Sequence, residues 1–158
     1  MKNITNEYLQ QKREESEYII EAEGKQLVNA CISQIDNLYE HCIKYITLNN
    51  VQALYRDWVS TIYNAYNQLS KLKTNRTEFN KVQEYLDENK SRCIERALTK
   101  IKKNNPGRNI KDFSDNIANV ESYFPNVEAM IDINNYKSFF RKYAYDIEEQ
   151  EYALSKFI

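Results

Sequence analysis

Glycine and proline are almost absent from this chain, two of each in 158 residues, against the usual ~7% and ~5%. Turns that need a positive or a fixed φ are correspondingly few. A chain that turns this rarely is built from long helices, and no stretch of alternating β-branched residues offers a strand. The reading is an all-α fold: an antiparallel helical bundle of about four to five helices, with long first, third and last helices. Its length suits a single domain, residues 1–158.

Apolar periodicity places the helices. The first tract runs from about Ile4 to Leu48. In its second half Leu27 or Val28, Cys31, Ile35, Leu38, Cys42 and Tyr45 or Ile46 recur at steps of three and four, which makes the seam of a bundle helix. No apolar residue lies between Gln10 and Glu17, so residues 1–17 read as a polar N-terminal arm, projecting or frayed. Gly24 marks a kink in this tract. Asn49-Asn50 is a turn, with Asn50 as N-cap. The second helix carries Val51, Leu54, Trp58, Ile62, Ala65 or Tyr66, Leu69 and Leu72.

Thr74-Asn75-Arg76 breaks the second helix. Thr77 then caps a third, whose seam is Phe79, Val82, Leu86, Cys93, Ala97 and Ile101, with Lys90 a misfit inside the apolar arc. Asn104-Asn105-Pro106-Gly107 is the strongest break in the chain. A shorter helix from about Lys111 to Phe124 follows, then one more turn within 126–133. A last helix opens at Asn134 or Asn135 and runs through Phe140, Tyr143, Ile147 and Leu154 to Phe157.

The residues that carry chemistry are sparse. His41 is the single histidine, and Cys31, Cys42 and Cys93 are an odd number without framework spacing. Reduced thiols in a cytoplasmic protein are the simpler expectation. The N-terminal MKNITNEYLQQKREES holds no apolar leader. No run approaches the ~18 apolar residues of a membrane span. A di-iron bundle needs two Glu-x-x-His motifs, and one histidine cannot supply them. Zinc sites favour close ligand pairs, whereas adjacent His41 and Cys42 point about 100° apart on a helix. The cysteines lie on apolar stripes, where they act as small hydrophobes. Glu84, Asp87 and Glu88 are interspersed with Lys81, Lys90 and Arg92, the pattern of a solvated face. Neither a P-loop nor a G-x-G-x-x-G motif is present. The expectation is a non-enzymatic protein with no catalytic residues, no metal and no cofactor.

Charge gives the positive signal. Residues 70–111 carry a net +7, while residues 1–69 sum to −3 and residues 112–158 to −5. On a helix of 100° per residue, Arg92, Arg96, Lys100 and Lys103 fall within about 80°, and Lys81 and Tyr85 lie about 20° either side of Arg92. These six form a ridge about 33 Å long. Lys71, Lys73 and Arg76 flank it on one side, Arg108 and Lys111 on the other.

Three partners for the ridge compete. The acidic terminal segments (Glu14, Glu15, Glu17, Glu21, Glu23; Asp146, Glu148, Glu149, Glu151) can neutralise it within the chain or between copies. A second protein can supply the acid. RNA or DNA can supply phosphates, with Tyr85 to stack or hydrogen-bond. The near-neutral total argues against a dedicated nucleic-acid binder. Phe139, Tyr145 and Tyr152 broaden the last helix beyond one face and are candidate protein-interface residues. The expectation is a protein that binds another protein or protein complex, as adaptor, assembly subunit or inhibitor. The alternative is a nucleic-acid-binding subunit using the basic 71–111 segment, and a homo-oligomer suits either.

Overall fold

The computed structural model describes residues 5–49 and 55–158. Eight α-helices and one 3-10 turn are formed among them, and no strand. The all-α bundle with long first and third helices agrees with the sequence reading.

Helix α1 spans Asn6–Leu48 without a break. Thr5 caps it, its hydroxyl accepting from the Tyr8 N–H at 3.1 Å. Helix α2, Tyr55–Leu69, is amphipathic and buries Trp58, Val59, Ile62, Ala65 and Leu69. The Cys31 thiol points at the carbonyl of Gln68, 3.8 Å away, so the start of the α1 seam meets the end of α2 and the two run antiparallel. A 3-10 turn over Ser70–Thr74 reverses the chain. Helix α3, Arg76–Asn104, then returns alongside α1. Gly24 meets Glu78, and Asp36 meets Arg96, so α1 and α3 run parallel.

Gly24 does not interrupt α1. A Cβ there would lie 2.6 Å from Glu78 Oε1. The glycine lies against the flexible end of the Glu78 side chain in an unbroken helix, where a kink was expected. Helix α3 begins one residue before Thr77, with Asn75 in the N-cap position and no side-chain cap bond. Lys90 leaves α3 unbroken and donates from Nζ to the Pro125 carbonyl. The expected Asn50 cap, Val51, Leu54 and Ile4 lie outside the described residues.

Five short helices close the far end of the bundle. They are α4 Ile110–Ser114, α5 Ile117–Tyr123, α6 Val127–Met130, α7 Ile133–Tyr143 and α8 Ile147–Lys156. Gly107 makes the turn before them at φ 85°, a conformation glycine adopts without strain. The expected single helix from Lys111 to Phe124 is two, and the long last helix is also two. The physical reason for the second division is capping by an Asx residue. Asp146 accepts from the Glu149 N–H at 2.9 Å and starts α8, while Ala144 is extended. Asn109, Asn126 and Asp132 start α4, α6 and α7 in the same way.

The core at this end is aromatic. Tyr45 meets Phe140 edge-on at 5.1 Å, and Phe157 stacks on Tyr136 at 5.2 Å and 14°. Two of the buried hydroxyls find carbonyls: Tyr39 donates to Phe124 at 3.0 Å and Tyr136 to Met130 at 2.6 Å. The last turns of α1 are enclosed by α2, α3, α4 and α5, so that Leu38, Tyr39, Glu40, Cys42, Ile43, Lys44 and Tyr45 are all buried. Among the described residues no helix is long and apolar enough to cross a membrane.

Candidate functional site

The ridge is built by α3. Its apolar seam, from Phe79 to Ile101, turns toward α1 and the core, which forces the opposite face outward. Lys81, Arg92, Arg96, Lys100 and Lys103 are all exposed, and Tyr85 is half-buried. Lys71, Lys73, Arg76, Arg108 and Lys111 are exposed as well. All eleven residues singled out in the sequence therefore reach the surface. An open groove of about 480 Å³ on this face is lined by Arg92, Glu95, Arg96, Thr99 and Lys100.

Two members of the ridge are already engaged. Arg96 forks onto Asp36 of α1 at 2.8 and 3.2 Å and donates to the Tyr85 hydroxyl at 3.0 Å. The Asp36 and Tyr85 hydrogen bonds together push the Arg96 pKa up, so its charge is permanent. Tyr85 is held at the foot of this pair, and Arg76 lies over the Phe79 ring at 4.5 Å, while Lys73 donates to the Tyr66 hydroxyl at 3.1 Å.

The acidic ends do not neutralise the ridge within the chain. Among the described residues, the ion pair made by a ridge residue is Arg96–Asp36. Glu148 and Glu149 of α8 instead face Arg56 of α2, at 3.8 and 3.3 Å. The N-terminal acids lie on α1 ahead of Gly24, whereas α3 starts level with Gly24 and runs parallel to α1, away from them. The intramolecular charge match expected as one option is thus absent from this arrangement.

The N-terminal arm is helical and longer than the polar stretch suggested. Every residue from Thr5 to Glu21 is exposed, a projection of about 24 Å at 1.5 Å per residue. It carries Tyr18, Ile19 and Ile20 at 73%, 54% and 66% exposure. Glu14, Glu15, Tyr18 and Ile19 line a second open groove. Sequence reasoning missed these three apolar residues because they adjoin the α1 seam in the chain. Only the starting level of α3 reveals that, among the described residues, none covers them.

The other interface candidates divide. Phe139 is fully buried between Tyr45, Phe124 and Phe140, which removes it from any surface. Tyr152 is half-buried beneath Arg56, whose guanidinium carbon is 4.5 Å from the ring centroid. Tyr145 is exposed in the link between α7 and α8.

The thiols and the imidazole are enclosed. Cys31, Cys42 and Cys93 are free and buried. Burial pushes Cys31 and Cys93 each up to about 11 and raises Cys42 well above the usual thiol range, so thiolate is scarce at neutral pH. His41 Nδ1 lies 2.8 Å from the Asn37 carbonyl, and burial lowers the imidazole pKa. Among the described residues no three His, Cys, Asp or Glu side chains converge into a metal-binding group. Glu40 and Lys44 form a buried pair at 2.7 Å that sequence spacing alone did not single out. No family model, no curated protein and no solved structure matches this chain.

Proposed function

We propose that this chain is a non-enzymatic, macromolecule-binding protein acting through protein–protein contacts, as an adaptor, assembly subunit or inhibitor, with the α3 ridge as its principal docking surface. One observation carries the reading. Lys81, Arg92, Lys100 and Lys103 face solvent on a single helix, and the chain's own acidic ends lie elsewhere. Six basic residues and one acid between 90 and 103 leave a field that an acidic partner would neutralise. Enclosure of His41 and the three cysteines supports a role that requires no turnover.

Nucleic acid is the second reading, favoured by the exposed cations at Arg108 and Lys111 that prolong the ridge. Against it stands the placement of Tyr85, the ridge's one aromatic, half-buried against the core. Stacking on bases needs a free ring face. Capture from native cells, with and without nuclease, separates the two. The proposal expects a protein partner that survives nuclease and is lost when Arg92, Lys100 and Lys103 become Glu. Turnover abolished by Cys93→Ala or His41→Ala in a folded chain would overturn it.

A further inference from the structure

The arm and the ridge carry opposite charge on surfaces that this fold keeps apart. Residues 14–23 hold five glutamates and no lysine or arginine. They surround Tyr18, Ile19 and Ile20, the most exposed large apolar side chains of α1. A helical arm whose exposed apolar side chains are interspersed with glutamates, and which the described bundle leaves uncovered, is suited to an interface.

We propose that the arm of one copy docks on the α3 ridge of a second copy, and that two copies exchange arms about a two-fold axis. The proposal rests on the reading of the ridge as a docking surface, and it names a partner for that surface. Charge decides between the possible occupants. Arm against arm sets these glutamates against their own kind when parallel, and when antiparallel about Tyr18 it still opposes Glu15 and Glu21, with Arg13 the cation that meets Glu23. Arm against ridge sets them against Arg92, Lys100 and Lys103. The chain's own arm is excluded, because α1 carries it away from α3.

The register permits the exchange. Tyr18 lies about 9 Å before the level of Gly24 and Glu78, and Ala97 about 28 Å beyond it. Each copy therefore separates the centre of its arm from the centre of its ridge by about 37 Å. Two copies laid antiparallel place each arm beside the other's ridge at one and the same offset. Such an interface is isologous and closes at two. Its exposed charges are screened over ~8 Å at physiological salt, so the pairing weakens as salt rises.

Sedimentation velocity of the full chain at about 100 µM, a concentration that reveals weak pairing, tests this directly. The wild type is expected to sediment as a dimer at low salt and to shift toward monomer at high salt. Ridge reversal (Arg92→Glu, Lys100→Glu, Lys103→Glu) gives monomer, as does arm reversal (Glu14→Lys, Glu17→Lys, Glu21→Lys). Mixing the two variants restores the dimer, because each acidic surface again meets a basic one. Tyr18→Ser with Ile19→Ser also gives monomer, although it changes no charge. Circular dichroism establishes that every variant is folded. A wild type that stays monomeric, or a dimer that survives ridge reversal, overturns the proposal. If that monomeric wild type still binds a captured protein in a ridge-dependent way, only the self-docking falls. If ridge reversal changes neither association nor capture, the functional reading falls with it.

Discussion

Glu40 and Lys44 sit one turn apart inside the bundle, 4% and 6% exposed, with 2.7 Å between their charged atoms. Removing one partner of such a pair leaves the other buried and alone, at about 3–5 kcal/mol. Urea denaturation should therefore find Lys44→Met strongly destabilised, and Lys44→Met with Glu40→Leu closer to wild type. His41 lies beside this pair, with Nε2 3.7 Å from Glu40. Glu40 favours the imidazolium, but burial outweighs it and lowers the pKa. The unfolded chain then takes up a proton that the native chain does not. Stability from this source is complete above the unfolded value of about 6.5 and is lost as pH falls below it. Unfolding measured from pH 7.5 to 5.5 should show that decline, and His41→Gln should flatten it. The pair was visible in the sequence as an i, i+4 spacing. Its burial was not, because that depends on four other helices closing around the last turns of α1.

Helices α1 and α3 were legible because their apolar seams repeat over many turns and few residues interrupt them. The break between α7 and α8 was not, since neither glycine nor proline marks the Tyr143–Asp146 link. A weaker signal was present: Asp146 followed three residues later by Glu149 is the pattern of a capped helix start. Asp146→Ala removes that cap and should cost about 1 kcal/mol, read as a lower thermal midpoint with α8 the first segment to exchange its amides. Gly24 behaves differently from an ordinary mid-helix glycine. Its replacement by Ala gains helix propensity of roughly 1 kcal/mol, and the atom in the way is the flexible end of Glu78. Gly24→Ala should therefore be neutral or modestly stabilising by chemical denaturation, and not strongly destabilising.

At the scale of the molecule, the charge pattern of the sequence becomes three separated surfaces. The acidic α8 is matched by Arg56 of α2, the basic α3 ridge faces solvent, and the acidic arm projects beyond the start of α3. The ridge could be assigned residue by residue from helical spacing. Its freedom from the acidic ends could not, since parallel α1 and α3 place them apart only in three dimensions. Exposed cations contribute little to folding, so reversal at Arg92, Lys100 and Lys103 should leave the thermal midpoint nearly unchanged while partner binding is lost. Site-specific photo-crosslinking in native cells tests the central claim most directly, with the reactive group placed in turn at positions 92 and 100 and, as control, at exposed position 156. The account predicts protein adducts from 92 and 100 and none from 156. Adducts from the control alone, or none from the ridge, would contradict it.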